Sequence, residues 1–319
     1  MSLAKQSYST SITPLPGTFG LFDPPSPLGL HFLNLWGQNQ SNHMHCRAIQ
    51  QIIRSRSGLA NAGIETPGFA DALYQFDLLE SAKTLTRPWM DMPSARWRFL
   101  TEKIASSREG LGRDVRDKFV QALPRTSDYT PFLDILSDMC VYCSWIQAVQ
   151  DQMEPGSVAH ELYTPLIRDL SVLRDTIEHR LLAYRCTGNS IEEQLCWAAA
   201  LIFTHCVIYP LPNRQPLDIL LDRLMASLGG LVVEHVDEGR PFLVWVSMIG
   251  AMACQPADQA RTPFFSERLT TYAAAAGVSS WFQLRGLLGD FLWLDRACGM
   301  GGLTIWDRSS NPVTDLDGL

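Results

Sequence analysis

Charged residues are scarce in this chain, 18% of its 319 residues, and acids outnumber bases 33 to 26 for a net charge of −7. Affinity for phosphate backbones comes from clustered Lys and Arg, so this balance excludes nucleic-acid binding by the chain as a whole. Long apolar runs are also missing. The longest, Leu195 to Tyr209, is interrupted by Thr204 and His205 and followed by Pro210; it falls short of the roughly 20 residues that span a bilayer and reads as a buried helix. Met1 to Ser11 carries neither the basic nor the apolar region of a signal peptide, which together with the composition points to a soluble intracellular protein. Eight cysteines in a chain this long are too sparse for a secreted disulfide scaffold. Most lie in apolar stretches and are expected as reduced core thiols. Alternating strands separated by Asn-Gly turns are nowhere evident.

The chain is rich in core-forming residues: 46% are hydrophobic and nine are Trp. Residues 1–27 carry TSITPLPG and DPPSP and are expected to be a disordered arm. From Leu28 on, apolar residues recur at the helical spacing of three and four. Leu30, Phe32, Leu33 and Trp36 begin one face, and Ile49, Ile52 and Ile53 continue it. Phe69, Leu73, Phe76 and Leu79 mark another, and Phe132, Ile135, Leu136, Met139, Cys143 and Ile146 a third. Segments 95–108 and 111–122 read as more exposed helices. Asn189 or Ser190 caps a helix with Glu192 and Glu193 in its first turn, where carboxylates favour the helix dipole. Further helices are predicted at 216–228, 241–254, 263–276 and 280–297. In the last, Trp281, Leu284, Leu287, Leu288, Phe291 and Leu294 form one stripe, with Trp293 and Trp306 folding the chain end back onto the domain. The fold class is all-α: a single compact multi-helical domain over 28–307, with a disordered tail at 308–319.

Candidate chemistry is thin. Cys140 and Cys143 form a Cys-x-x-Cys without a second pair, so no structural zinc site is assembled. His43, His45 and Cys46 cluster closely enough to hold a metal, but a polar loop explains them equally well. His160-Glu161 opens like a zinc-protease motif, yet Thr164 stands where the second His belongs. Gly299, Gly301 and Gly302 follow a helix and read as its termination rather than a phosphate loop. Asp134 with Asp138, and Asp218 with Asp222, stand at i,i+4; neither makes the acidic run that binds magnesium diphosphate, and both read as solvated helix faces. Between 87 and 118, Arg87, Arg96, Arg98, Lys103, Arg108, Arg113, Arg116 and Lys118 face five interspersed acids. Mixed signs of this kind predict a solvated surface with i,i+4 pairs. No catalytic set, cofactor site or metal site emerges.

The stretch 241–307 is more specific. PFLVWVSMIGAMAC is followed by RTPFFSERL and then by SSWFQLRGLLGDFLWLDRACGMGGLTIWDR. This resembles the end of the fungal-specific transcription factor domain, the helical regulatory region of fungal zinc-binuclear-cluster regulators. That family places an apolar helix before a charged-aromatic segment, then a Ser-Trp, a Leu-rich helix ending Phe-Leu-Trp, an acid, a Cys and a final Leu-x-x-Trp. Trp245, Phe265, Trp281, Phe291, Trp293, Asp295, Cys298 and Trp306 occupy the matching places. The likeness is good over 190–307, diffuse over 68–189 and absent before that, and its residues are packing residues.

The resemblance implies a nuclear transcriptional regulator, rather than an enzyme, controlling a metabolic or secondary-metabolite pathway. Its partners would be other regulatory proteins, a zinc-cluster transcription factor among them, and a small-molecule effector; no membrane is implied. One departure stands out. The family's six-cysteine zinc cluster is missing, since Cys46 alone lies in the first 139 residues, so sequence-specific DNA binding in the family's manner is not expected. The chain is either a stand-alone regulatory domain or a domain put to a new use, such as a small-molecule-binding protein or an enzyme of a biosynthetic pathway.

Overall fold

The computed structural model describes residues 20–24, 51, 55, 69–124, 128–152, 160–186, 190–211, 213–231, 240–255 and 258–310. Most of the expected helical face at 30–53, the His43, His45 and Cys46 cluster, and residues 311–319 lie outside the described residues. Among the described residues the domain is all-α, with no strand. The helices are α1 Phe69–Thr84, α2 Ser94–Phe99, α3 Ala105–Gly110, α4 Arg113–Ala122, α5 Thr130–Gln152, α6 His160–Ala183, α7 Ile191–Phe203, α8 Gln215–Gly229, α9 Pro241–Ala253, α10 Arg261–Ala275, α11 Trp281–Gly289 and α12 Asp295–Ser310. A π-helical turn, Leu100–Ile104, joins α2 to α3, and a second, Thr204–Ile208, extends α7.

Local chemistry explains the starts. Ser190 accepts a hydrogen bond from the Glu193 amide at 3.2 Å, a side-chain cap for α7. Ser280 accepts from the Gln283 amide at 3.3 Å, while Gln283 Oε1 accepts from the Ser279 amide at 2.9 Å. Pro216 and Pro241 sit in the first turns of α8 and α9, where a missing N–H costs nothing. Every residue from Phe242 to Ala253 is buried, as a helix apolar on all sides requires. Around α9 pack α7, α8, α10, α11 and α12, while α5 and α6 pair beside them and α1 lies on α6. The 22 residues from Thr130 and the 18 from Ile191 are apolar enough by composition to cross a membrane, but most of both is buried inside the domain.

Several expectations need correction. The helix predicted over 280–297 is two: α11 stops at Gly289, the chain turns through Asp290–Leu294, and α12 begins at Asp295. Phe291, Leu292 and Leu294 are nonetheless buried, because the turn itself is folded into the core. Gly299, Gly301 and Gly302 do not end a helix; they lie within α12, and at 301 and 302 the missing side chain admits neighbours. A Cβ on Gly302 would stand 2.8 Å from the ring tips of both Trp281 and Trp293. Residues 20–24, placed in the arm, are docked on the body: the Leu21 amide donates to Met252 O at 2.7 Å and the Asp23 amide to Ala297 O at 2.8 Å. Residues 308–310, placed in the tail, complete α12.

Candidate functional site

The densest chemistry lies on one face of α6, where Arg174, Asp175, Glu178 and His179 are all buried. The spacing i, i+1, i+4, i+5 puts them on a common stripe, which α1 and the π-turn after α7 cover. Asp175 accepts from Arg174 at 2.7 and 2.9 Å, from Arg96 at 3.3 Å and from Gln75. The two guanidiniums lie over aromatic rings, Arg96 at 4.5 Å from the centroid of Tyr74 and Arg174 at 5.4 Å from that of Tyr209. Tyr74 stacks on His179 with ring centroids 5.7 Å apart. The π-turn rotates His205 inward, and its Nε2 donates to Glu178 Oε1 at 2.9 Å. His179 Nε2 donates to Met90 O at 3.0 Å. The Nδ1 atoms of both imidazoles are buried without a protein partner. With the hydroxyls of Tyr74 and Tyr209 and with Glu178 Oε2, these make five buried polar atoms without a protein partner. Burial drives the Tyr74 and Tyr209 phenols above their ordinary range and lowers His179. Asp77, buried at the edge of the network, is pushed up to about 6 by burial although the Met90 and Trp89 amides donate to it.

A cleft of about 490 Å³ opens beside α4, α7, α9 and the turn before α12. Its floor is Leu123, Phe242 and Phe291, and two ion pairs stand at its rim: Lys118 with Asp290 at 2.9 Å and Arg240 with Glu192 at 2.9 Å. Burial pushes Glu192 up, but hydrogen bonds from its own backbone amide, the Ser190 hydroxyl and Arg240 together outweigh it and hold the carboxyl below its ordinary range. An apolar floor with paired charges at the mouth suits an amphipathic small molecule. Among the described residues no group of three His, Cys, Asp or Glu side chains is placed to hold a metal ion.

The residues that carry the family resemblance come together around α9. Trp245 is fully buried, donates from Nε1 to Leu292 O at 2.8 Å, meets Phe119 edge-on at 5.3 Å and stacks with Phe291 at 6.0 Å. Phe265 lies against Gly250, where a Cβ would stand 2.5 Å from its ring. Trp281 and Trp293 meet edge to face at 6.5 Å. Asp295 accepts from Arg285 at 2.6 and 2.9 Å and from Trp293 Nε1 at 2.9 Å, and the Arg285 hydrogen bonds hold its carboxyl below the usual range. Cys298 is buried, which pushes its thiol up to about 12. Trp306, two turns further along α12, is half-buried against the core. None of these side chains is arranged as an acid, base or nucleophile.

Asp218, Asp222 and most of the charged residues between 87 and 118 lie on solvated faces as expected, whereas Asp138 and Arg96 are buried. Asp138 is fully buried between Arg108, 2.9 Å from its Nη2, and Arg180. Asp134 pairs with Arg116, and Arg261 bridges Asp218 and Asp222 at 3.1 and 2.8 Å. Arg96, Lys103, Arg108, Arg116 and Lys118 bond to distant acids rather than to i,i+4 partners. The α6 network is not evident from the sequence; its signal is the run RDTIEHR set between Leu173 and Leu181-Leu182.

The class that fold and site define is an all-α domain with a buried ionic network and an amphipathic cleft. Comparison with family models, curated proteins and solved structures finds no match for the chain.

Proposed function

We propose that this chain is a regulator of the fungal transcription-factor type, acting in the nucleus on a metabolic or secondary-metabolite pathway through contacts with other regulatory proteins and a small-molecule effector, without a zinc cluster of its own. One observation carries the reading. Two of the residues that match the family pattern, Trp245 and Phe291, pack together in the core, and Phe291 also lines the cleft. A molecule seated there presses on the ring that packs against Trp245 and Phe119, which couples occupancy of the cleft to the centre of the domain. The same cleft supports a second reading, a metabolite-binding protein or biosynthetic enzyme built on the helical fold.

Deletion of the gene with joint transcript and metabolite profiling separates the two. The regulatory reading expects coordinated loss or gain of transcripts from one pathway, and co-purification of the tagged protein with a zinc-cluster regulator in nuclei. Unchanged transcripts together with accumulation of one intermediate would reject it in favour of the second.

A further inference from the structure

Gly20–Asp23 crosses the end of α9 and the first turns of α12, with a turn at Gly20 and Leu21. Its alternate amides point at the body: Leu21 N–H donates to Met252 O and Asp23 N–H to Ala297 O. Met252 O is one of the last carbonyls of α9, which have no partner within the helix. Phe22 is buried with the core residues at 6% exposure. Both sides of this contact lack a Cβ where one would collide. Gly20 takes φ +62°, and a Cβ on it would stand 2.1 Å from Met252 O. On the body, a Cβ on Gly301 would stand 2.2 Å from Leu21 O, whereas at Gly299, half a turn away, nothing lies within 4 Å. Gly301 is thus fitted to the backbone laid across it, not to the needs of α12.

We propose that this groove, formed by the end of α9 and the Gly301 face of α12, is a peptide-recognition site that the chain's own Gly20-Leu21-Phe22-Asp23 fills in cis and exchanges with the same sequence supplied in trans. The recognition elements are a left-handed glycine, one buried aromatic ring and two backbone donors two residues apart. Among the described residues two backbone hydrogen bonds, the buried Phe22 ring and the partly buried Leu21 side chain hold the segment, and its covalent attachment favours it over the same sequence free in solution. The site is therefore shielded from weak competitors while the segment is seated, and open to them once it is displaced. This inference does not rest on the regulatory reading.

A fluorescein-labelled peptide of residues 16–27, titrated by anisotropy into the full-length chain, tests it. Phe22→Asp empties the groove and should bind the peptide at least tenfold more tightly than the parent. Adding Gly301→Leu to Phe22→Asp should abolish binding, and so should placing Phe22→Asp in the peptide. A Phe22→Asp chain that keeps its helical circular dichroism and binds no better than the parent overturns the proposal, as does binding that survives Gly301→Leu. Hydrogen exchange on the unmodified chain decides the matter if Phe22→Asp fails to fold. Excess unlabelled peptide should accelerate exchange at the Leu21 and Asp23 amides, and unchanged rates overturn the proposal.

Discussion

Phe291 occupies a position where packing and binding make different demands, so Phe291→Ala is the most informative single substitution. The ring is 4% exposed, lies edge-on to Phe119 at 5.2 Å and stacks with Trp245 at 6.0 Å. Truncating a buried Phe to Ala costs about 3–5 kcal/mol through lost transfer energy and the cavity left behind. The two ring contacts lie within that sum, since aromatic pairs contribute about 0.5–1.5 kcal/mol beyond area alone. One side of the ring faces the cleft, where water reaches the vacated space, so the cavity contribution shrinks and a value of about 3 kcal/mol is expected. At about 2–4 °C per kcal/mol for a domain of this size, the melting temperature falls by about 6–12 °C. Differential scanning calorimetry at fixed pH and salt reads this directly. Phe282→Ala, nine residues earlier and 83% exposed, is the control and should change stability by less than about 0.5 kcal/mol. A fall of less than 2 °C for Phe291→Ala would refute the reasoning and leave Phe291 as a cleft residue only.

Three further outcomes are expected. Asp138→Ala leaves Arg108 and Arg180 as facing, largely buried cations, so urea denaturation should show a loss of about 3–5 kcal/mol; a loss below 1 kcal/mol contradicts the clamp. Asp77, at about 6 in the folded chain against an ordinary 3.8, contributes stability that is fully present below pH 3.8 and lost as pH rises through 6. Two pKa units correspond to about 3 kcal/mol, so Asp77→Asn should gain up to that amount on the parent between pH 4 and pH 7, and a pH-independent difference counts against the assignment. Cys143, Cys196, Cys206 and Cys298 are free, buried and raised in pKa by that burial; peptide mapping after brief alkylation at pH 8 should find them unmodified in the native chain and modified in guanidinium, and rapid native labelling would speak against the core placement.

Much of the helical framework was legible. Sequence narrowed the caps to Asn189 or Ser190 and to Ser279 or Ser280, because capping depends on a side chain and an amide three residues away, and the structure selects Ser190 and Ser280. The predicted segments at 216–228, 241–254 and 263–276 match α8, α9 and α10 within a few residues, since three-four spacing reports a buried face directly. The break inside 280–297 was hidden because Phe291 and Leu294 keep that spacing while the chain turns. Periodicity registers that a residue is buried, not which backbone buries it.

Sequence by itself determined the secondary structure class and most of the apolar faces, because these follow from local propensity and from which residues avoid water. Only the tertiary structure decided the rest. Arg108 and Asp138 are 30 residues apart in the chain, Glu178 and His205 are 27, and Leu21 and Met252 are more than two hundred. A charge in a sequence carries no mark of its partner, and a glycine carries no mark of the backbone it admits. Both are settled by the packing of helices, which brings distant residues within hydrogen-bonding reach and removes the water that would otherwise satisfy them.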